Sequence, residues 1–267
     1  LALVGLGGRF GRSEGLPGSA ESALYGAVCG FMKTVAEEWP EVRVKVMDVH
    51  PNDPKAVDHV LAELAIDDGL VEVGYRDGKR WQPVVRHAPL IERRPYSLRV
   101  DGSWVVLLTG GARGITAEVA HWFARSFHST LVLVGRTSPK VPDALKKVAD
   151  VPLSHLRQKI VELWREEGRT FTIREVEGAY ANLVKIRKIH ETMEKLRSAG
   201  ARVFYFDVDV RNEKEFGRLL DWIYDELGRL DAVVHGAGII EDKLLRDKTW
   251  ESFSRVFGTK ADSLQIL

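Results

Sequence analysis

The chain has 267 residues, of which 45% are hydrophobic and 29% are charged. This balance excludes a disordered or membrane-embedded chain, and the length corresponds to about two domains. Lys and Arg number 39 against 38 Asp and Glu, so the net charge of +1 gives no basic field that predicts nucleic-acid binding. The single cysteine, Cys29, excludes an internal disulfide and a thiolate-rich metal site, and we expect a cytoplasmic protein without a membrane span.

Residues 1–100 are predicted to form one α/β unit that ends in a hairpin and a connector. Its strands are expected at Leu1–Val4, Val42–Val49, Val71–Tyr75 and Trp81–Val85, and its helix at Ser22–Glu38. Asp77-Gly78 lies between the last two strands and is a strong hairpin signal. The stretches Arg93-Arg94-Pro95-Tyr96 and Asp101-Gly102 are interpreted as the connector to a second unit.

Residues 101–267 alternate apolar strands with helices. The predicted strands are Val105–Leu108, Leu131–Val134, Val203–Phe206 and Ala232–Val234, and the predicted helices are Ile115–Phe127, Glu213–Leu227 and Trp250–Leu267. Strands that alternate with helices form crossover units, so the expected fold is α/β, a Rossmann-like doubly wound parallel sheet. The apolar face of the first helix is predicted to contain Ile115, Val119, Trp122, Phe123 and Phe127.

Residues 138–200 are longer than an ordinary crossover requires, and we predict a helical insertion. Its helices are expected at Leu153–Glu167 and within Glu175–Ala199. The second helix contains an apolar stripe formed by Leu183, Ile186, Ile189, Met193 and Leu196. We expect this stripe to pack on the body of the unit or on a neighbouring domain, and a regulatory or partner-docking role stays open.

Both ends of the sequence are predicted to cut through folded structure. Leu1–Val4 is too short for the apolar core of a signal peptide or for a membrane span. Ala261–Leu267 ends inside a predicted helix without a glycine or proline stop. We therefore expect an excerpt of a longer chain, truncated at both ends, in which both α/β units are incomplete.

A glycine-rich turn follows the first strand of the second unit. Glycine lets the backbone turn tightly and approach a ligand, and the next helix presents free N–H groups and its positive dipole end to a pyrophosphate. The dinucleotide-binding residues predicted in this turn are Thr109, Gly110, Gly111, Arg113, Gly114 and Ile115. A plain strand-to-helix turn is the alternative.

The end of the second strand discriminates between two cofactors. Binding the ribose 2′-hydroxyl of NAD requires Asp or Glu there, whereas this chain has Gly135-Arg136-Thr137. A guanidinium suits a 2′-phosphate, so Arg136 and Thr137, with Arg113 as a second candidate contact, predict NADPH. The alternative is an exposed surface arginine.

The ends of the third and fourth strands complete the predicted cofactor site. Asp209, followed by Val210, is expected to accept a hydrogen bond from the adenine amino group. Asp207 or Asp209 could instead cap the helix that begins at Glu213. His235-Gly236-Ala237-Gly238 is a small-residue turn against which a ribose can lie. The eight histidines form no His-x-x-x-His pair, so no metal site is predicted.

These four strand ends together resemble the short-chain dehydrogenase/reductase superfamily. The segments Gly238–Asp242 and Phe257–Leu264 narrow the resemblance to ketoreductase domains of polyketide synthases. Leu24–Pro40 and Glu72–Trp81 resemble the truncated, non-catalytic half of such domains. The helical insertion is most similar to that of synthases for polyunsaturated fatty acids and enediynes. The resemblance implies that residues 1–100 belong to a structural subdomain and residues 101–267 to the NADPH-binding catalytic subdomain.

The resemblance implies hydride transfer from NADPH to a 3-ketoacyl thioester on the phosphopantetheine arm of an acyl carrier protein domain, with neighbouring synthase domains as further partners. Lys260 matches the catalytic lysine of the family, and a solvated helix lysine is the alternative. The family's Ser and Tyr-x-x-x-Asn are expected beyond Leu267, so residues 1–267 alone are expected to be inactive. Asp242 matches the last residue of the Leu-Asp-Asp motif that accompanies D-hydroxy products, although Glu241 replaces the first Asp and a surface carboxylate is the alternative.

Three positions depart from the family pattern. Thr116 stands where the pattern has its third glycine. Tyr25 lies where an active reductase has its tyrosine, but Cys29 follows four residues later in place of Lys or Asn, which implies an inactive copy with Cys29 as a small buried residue. Two other functions stay open: an inactive structural or docking module of such a synthase, and a free-standing dehydrogenase, against which the 100 upstream residues argue.

Overall fold

The computed structural model describes residues 1–11, 20–50, 52–89 and 99–267. The chain divides into two compact units, Leu1–Arg94 with Lys243–Lys248 and Pro95–Asp242 with Thr249–Leu267. The connector residues Arg93-Arg94-Pro95-Tyr96 lie outside the described residues. Among the residues that are described, no helix combines the length and the apolar character needed to cross a membrane.

The first unit contains a sheet with the order β1-β2-β3-β4, in which the first three strands are parallel and β4 is antiparallel to β3. Its strands are β1 (Ala2–Val4), β2 (Val46–Val49), β3 (Glu72–Arg76) and β4 (Lys79–Trp81), and its helices are α1 (Ala20–Glu38) and α2 (Ala56–Ala65). Helix α2 is not anticipated from the sequence. Cys29 lies buried beside Val4 and Val46, and burial raises the pKa of its thiol, as expected of a packing residue.

The hairpin of the first unit forms at the predicted turn, but its second strand begins earlier than predicted. Asp77 and Gly78 have φ angles of 53° and 68°, which is the geometry of a two-residue hairpin loop. Such a loop places Lys79 directly opposite Arg76, so β4 begins there. The predicted strand Trp81–Val85 is therefore wrong beyond Trp81, where Pro83 lacks the N–H that a ladder needs.

Two buried carboxylates organise the first unit. The Asp48 carboxylate at the end of β2 accepts hydrogen bonds from the N–H groups of Leu6 and Phe10, each at 2.6 Å, in the loop after β1. Glu63 of α2 accepts hydrogen bonds from three side chains, Lys45 Nζ at 2.7 Å, Tyr75 Oη at 2.6 Å, and the Arg80 guanidinium. Burial acts to raise the pKa of Glu63, but these hydrogen bonds outweigh it and hold the pKa at about 2.

The second unit contains a parallel sheet with the order β7-β6-β5-β8. Its strands are β5 (Val105–Thr109), β6 (Thr130–Gly135), β7 (Arg202–Asp207) and β8 (Ala232–His235), and its helices are α3 (Gly114–Phe127), α4 (Leu153–Glu166), α5 (Ile173–Ser198), α6 (Glu213–Leu227) and α7 (Trp250–Ile266). The predicted Rossmann-like α/β fold is confirmed. The strand order reverses between β5 and β8, which is where open α/β sheets bind ligands.

The two central strands of this sheet, β5 and β6, are buried on both faces, which explains their uninterrupted apolar runs. Val106 and Leu108 of β5 pack with α3 and the end of α5, whereas Val105 and Leu107 pack with α6. The predicted apolar face of α3 is partly wrong. Its buried residues are Ala120 and Ala124, with Val119 and Phe123 half-buried, whereas Ile115 and Trp122 are exposed. Small side chains let the helix approach the sheet closely, so the largest ones lie at its flanks.

Both helices predicted between residues 138 and 200 are present, and the apolar stripe of α5 is confirmed as buried, with Met193 half-buried at its edge. Leu183 packs into a separate apolar core formed with α4. Leu196, near the other end of the same helix, packs into the core of the sheet. Helix α5 is thus shared by the insertion and by the parallel sheet. A capping box between Thr172 and Glu175 defines where it begins.

Candidate functional site

The glycines in the turn after β5 serve three different purposes. Gly110 has a φ of 72°, and a Cβ there would lie 3.1 Å from the backbone of Gly236. Gly111 packs on the sheet, where a Cβ would lie 2.8 Å from Leu108 Cβ. Gly114 begins α3 with a φ of 59° and faces open space. The turn therefore brings β5 and β8 together while one glycine presents bare backbone outward.

Thr116 is accommodated by a glycine elsewhere in the chain. The sequence departs from the family pattern at this position, where a threonine replaces the third glycine. A Cβ on Gly236 would collide with the Thr116 hydroxyl, so the glycine of the β8 turn supplies the space. The two positions are complementary in shape, because the Thr116 side chain occupies the space that a side chain at residue 236 would need.

A cleft of about 310 Å³ lies at the carboxyl ends of the strands. It brings together predicted residues from all four strand ends: Gly110, Arg113, Gly114, Arg136, Asp209, Val210, Gly236, Ala237 and Gly238. It is also lined by four residues that sequence reasoning does not identify: Val134, Gly135, Val208 and Thr259. The sequence-derived set therefore converges on one cavity at the point where the strand order reverses.

Several predicted residues do not line the cleft. Thr109, Gly111 and His235 lie beneath its surface, where they pack or form hydrogen bonds. The Ile115 side chain is 85% exposed and does not contribute to the cavity. Its position as the second residue of α3 points its side chain outward, so a cofactor contact at this residue would have to come from its backbone.

Lys260 lies at the edge of the cleft, next to the β8 turn. It is exposed on α7, and its Nζ lies 3.3 Å from the point where a Cβ of residue 238 would stand. The absence of a side chain at Gly238 therefore gives the ammonium room beside the backbone. This placement keeps the predicted catalytic lysine in reach of the cavity without making it part of the wall.

The segment that resembles the Leu-Asp-Asp motif is anchored through its glutamate. Glu241 accepts hydrogen bonds from Ser252 Oγ at 2.8 Å and from Arg255 Nε and Nη2 at 2.9 and 2.8 Å. Asp242 is exposed and does not line the cleft. The longer side chain at position 241 ties the loop to the first turns of α7.

Tyr205 supports the loop that carries Arg136. Its hydroxyl donates to the carbonyl oxygen of Thr137 at 2.8 Å, and a Cβ on Gly135 would lie 2.7 Å from that hydroxyl. Burial raises the pKa of Tyr205 to about 12, so the phenol keeps its proton for this bond. Arg136 itself is exposed at the cleft. Tyr205 is missed by sequence reasoning because nothing local distinguishes it from the other residues of an apolar strand.

Asp209 does not cap the following helix. The N-cap of α6 is Asn212, whose side chain accepts the N–H of Glu215, so the helix-cap alternative for Asp207 or Asp209 is wrong. The Asp209 carboxylate instead pairs with Arg211, with Nη2 2.6 Å from Oδ2. That hydrogen bond is the main reason why the pKa of Asp209 is lowered, and the nearby charge of Arg136 adds to it.

A chain of hydrogen bonds lies beneath the cleft. Thr109 Oγ1 accepts the N–H of Ala237 at 3.1 Å and lies 2.8 Å from His235 Nδ1. On the other side of the ring, Ser263 Oγ lies 3.1 Å from His235 Nε2 and donates to the carbonyl of Thr259 at 2.6 Å. These contacts join β5, β8 and α7. In the described ranges, no group of three or more His, Cys, Asp or Glu side chains is placed to hold a metal ion.

Known proteins resemble the chain along most of its length. It is 25% identical to a polyunsaturated fatty acid synthase subunit of Thraustochytrium sp., across 100% of this chain and 10% of that protein. It is also 25% identical to the polyketide synthase GfsA of Streptomyces halstedii, across 96% of this chain and 3% of that protein. The chain thus spans a small part of the length of these relatives.

Solved ketoreductase structures share the fold. The ketoreductase from the first module of phoslactomycin biosynthesis in Streptomyces sp. HK803 has a TM-score of 0.64 at 19% identity, across 99% of this chain and 50% of that one. A ketoreductase domain from the bacillaene assembly line has a TM-score of 0.61 at 22% identity, across 93% of this chain and 48% of that one. The KR domain family model matches residues 105–267. Because this match covers more than half of the residues, the chain belongs to the KR domain family, the ketoreductase domains of polyketide and polyunsaturated fatty acid synthases.

Proposed function

We propose that the chain is the NADPH-binding part of a ketoreductase in a multidomain synthase, which reduces a 3-ketoacyl thioester carried by an acyl carrier protein to the 3-hydroxyacyl product. The observation that carries this proposal is the cleft at the reversal of strand order, walled by glycine backbone and by Arg136. The names of the synthase relatives support the substrate class. Residues 1–100 would be the structural subdomain and residues 101–267 the first part of the catalytic one.

The residues present fit a nicotinamide dinucleotide, the cofactor class that this fold implies. Gly114 faces open space at the start of α3, where a pyrophosphate can approach the free N–H groups and the positive end of the helix dipole. Gly110 and Gly236 form the base of the cleft with backbone atoms alone, since a Cβ at either position would crowd its neighbours. When bound, NADPH supplies the hydride for the reduction.

Different residues of the cleft would contact the two ends of the dinucleotide. The guanidinium groups of Arg136 and Arg113, which both line the cavity, would pair with the 2′-phosphate. The remaining lone pairs of Asp209 would accept from the adenine amino group, while Val210 offers apolar contact to the ring. At the other end, the Ala237-Gly238 backbone would lie along the second ribose.

Lys260 is proposed to act where the nicotinamide ribose would lie. Its ammonium beside Gly238 would donate hydrogen bonds to the ribose and favour loss of a proton from a neighbouring acid. The serine, tyrosine and asparagine of the family are expected beyond Leu267. Asp242 is proposed to orient the acyl substrate, with Glu241 holding the loop through Ser252 and Arg255.

Replacement of Arg136 by glutamate tests the cofactor assignment. A carboxylate would repel the 2′-phosphate, and losing charge-assisted hydrogen bonds worth about 1.5–3 kcal/mol corresponds to an affinity for NADPH lowered by about 10- to 150-fold. The affinity for NADH is expected to stay within about threefold. Isothermal titration calorimetry of both cofactors, on the 267-residue chain and on the polypeptide in which it occurs, measures the two values.

Arg125→Glu is the matched control, because Arg125 is an exposed arginine near the end of α3, outside the cleft. It should leave both affinities unchanged. An unaltered NADPH-to-NADH ratio in Arg136→Glu would contradict the assignment. Ketone-dependent oxidation of NADPH by the complete polypeptide then separates an active ketoreductase from an inactive structural module. The inactive module would show no such oxidation, whether or not it binds the cofactor.

A further inference from the structure

The hydrogen-bond partners of His235 fix which ring nitrogen carries the proton. A hydroxyl has one hydrogen to donate. Ser263 donates its hydrogen to the Thr259 carbonyl at 2.6 Å, so His235 Nε2, at 3.1 Å from Ser263 Oγ, must be the donor in that pair. In the neutral ring Nδ1 is then an acceptor, and the Thr109 hydroxyl donates to it at 2.8 Å. Thr109 Oγ1 accepts the N–H of Ala237, so every group in the chain is satisfied.

The chain of hydrogen bonds ties α7 to the sheet at the point where that helix meets the cleft. Thr109 and Ser263 are fully buried, and Thr259 is 4% exposed. Thr259 lines the cleft and is followed directly by Lys260, while Ser263 lies one turn further along. The His235 ring does not line the cavity. An effect of this histidine on a bound cofactor can therefore reach the cleft through Ser263 and α7, or through Thr109 and the Ala237 N–H.

We propose that His235 is a positioning residue: as the neutral Nε2-protonated ring it fixes α7 against β5 and β8 and so holds Lys260 at the cleft. This inference rests on the proposed function for the role of Lys260. The clamp itself follows from the contacts alone. It assigns His235 a role different from the cofactor contact predicted from its place in the small-residue turn.

The surroundings of His235 keep the ring neutral. Burial lowers its pKa and the Lys260 ammonium on α7 lowers it further, and together they outweigh hydrogen bonds to the backbone of Lys260 and Thr259, which act to raise it. From β5 the ring faces the neutral Thr109 hydroxyl, and from α7 it also faces the neutral Ser263 hydroxyl. Protonation would place an N–H at Nδ1, so that the Thr109 hydroxyl could no longer donate there. The clamp is therefore expected to hold near neutral pH and to weaken in acid.

Two variants test the clamp from opposite sides of the ring. His235→Phe removes both ring nitrogens, and Ser263→Ala removes only the partner on α7, with little change in volume. In the complete polypeptide both should lower kcat for ketone reduction by at least about 10-fold, because Lys260 loses its fixed position. The NADPH dissociation constant should rise by no more than about threefold, since only the Lys260 hydrogen bond to the ribose is weakened while the contacts of Arg136 and Asp209 stay in place. His155→Phe, on the exposed face of α4, is the control.

Two further measurements do not depend on activity. Amide hydrogen exchange in the 267-residue chain should accelerate at residues 259–263 in both variants and not in the control. The ¹⁵N spectrum of the wild-type ring should show a protonated Nε2 and an unprotonated Nδ1 at neutral pH. A ring protonated at Nδ1, or unchanged exchange in α7 of folded Ser263→Ala, would overturn the proposal. Failure of the wild-type protein to bind NADPH would count against the proposed function alone.

Discussion

Tyr205 shows how a buried residue can determine the placement of an exposed one. Its hydroxyl donates to the Thr137 carbonyl and occupies the space left by Gly135, so it contacts the residues on both sides of Arg136. Arg136 is itself exposed, and without this support its loop would lose more conformational freedom when the side chain binds a phosphate. The loop is therefore organised before any ligand arrives.

Tyr205→Phe is expected to weaken NADPH binding by about 3- to 10-fold, because the Thr137 carbonyl loses a hydrogen bond worth about 0.5–1.5 kcal/mol and the loop relaxes. The affinity for NADH should change less, since Arg136 has no phosphate to meet there. Calorimetric titration of both cofactors measures the effect. Tyr224→Phe, at an exposed site on α6, is the control. Equal weakening of both cofactors would show a general loss of structure instead.

Sequence reasoning finds the residues of the cleft whose signal is local. The glycines after β5 and Arg136 after β6 are recognisable because each stands directly beside a strand end. Thr259 and Ser263 are missed because their importance depends on contacts across the fold. The contact of Ser263 with His235 spans 28 positions, and the contact of His235 with Thr109 spans 126. No local pattern of residue types encodes such pairs.

At the scale of elements, α5 connects the insertion to the glycine-rich turn. Thr192 Oγ1 donates to the carbonyl of Ala112 at 3.0 Å, and Ala112 lies within the turn after β5. The same helix holds the start of the insertion, where the Arg187 guanidinium donates to the Ala149 carbonyl at 2.8 Å. The insertion thus has a direct contact with the segment that would bind the pyrophosphate.

Thr192→Val keeps the shape of the side chain and removes its donor. We expect the affinity for NADPH and for NADH to fall together by about 2- to 10-fold, because the freed Ala112 carbonyl loosens the turn that both cofactors would use. Thr192→Ser retains the hydroxyl and should bind both as the wild type does. Fluorescence titration with each cofactor gives the dissociation constants of both variants for NADPH and for NADH. A loss confined to NADPH would contradict this explanation.

The strands are largely predictable where apolar residues occupy both faces. The strands of the second unit are apolar on both faces, and their bounds are predicted within one residue. The errors arise where geometry outweighs composition. Helix α3 presents alanines to the sheet although its larger apolar side chains suggest another face. The strand after Gly78 is set by the turn, so it begins before the apolar run that suggested it.

At the scale of the whole molecule, the first unit depends on charges where the second depends on apolar layers. Glu63 is fully buried on its side chain and joins α2 to β3 and β4 through Tyr75 and Arg80. Lys45 completes the cluster from the residue before β2. Asp68 also pairs with Lys45 and Arg80, so removing Glu63 leaves these two cations with one carboxylate instead of two.

Glu63→Gln is expected to destabilise the first unit by about 1–3 kcal/mol, because Lys45 and Arg80 lose a buried counter-charge and keep only that of Asp68. The wild-type pKa of about 2 is below the usual 4.5, so this contribution is present above about pH 4.5 and is lost as the pH falls toward 2. Urea unfolding as a function of pH should show a smaller loss between about pH 4.5 and 2 in the variant than in the wild type, since the variant keeps only the acid-sensitive pairs of Asp68. Glu41→Gln, at an exposed site, should match the wild type; equal stability of all three would contradict the role of Glu63.

The glycine-rich loops after β1 and after β5 differ in one respect: the Asp48 carboxylate binds to the backbone of the first loop. The loop after β1 turns its Leu6 and Phe10 amides inward to this side chain, as an anion-binding nest closes around a phosphate. The Asp48 carboxylate occupies the place of an anion in this nest, and a phosphate could bind there only by displacing it. In the first unit this site is therefore filled by the protein's own carboxylate, which agrees with the proposal that a dinucleotide binds in the second unit.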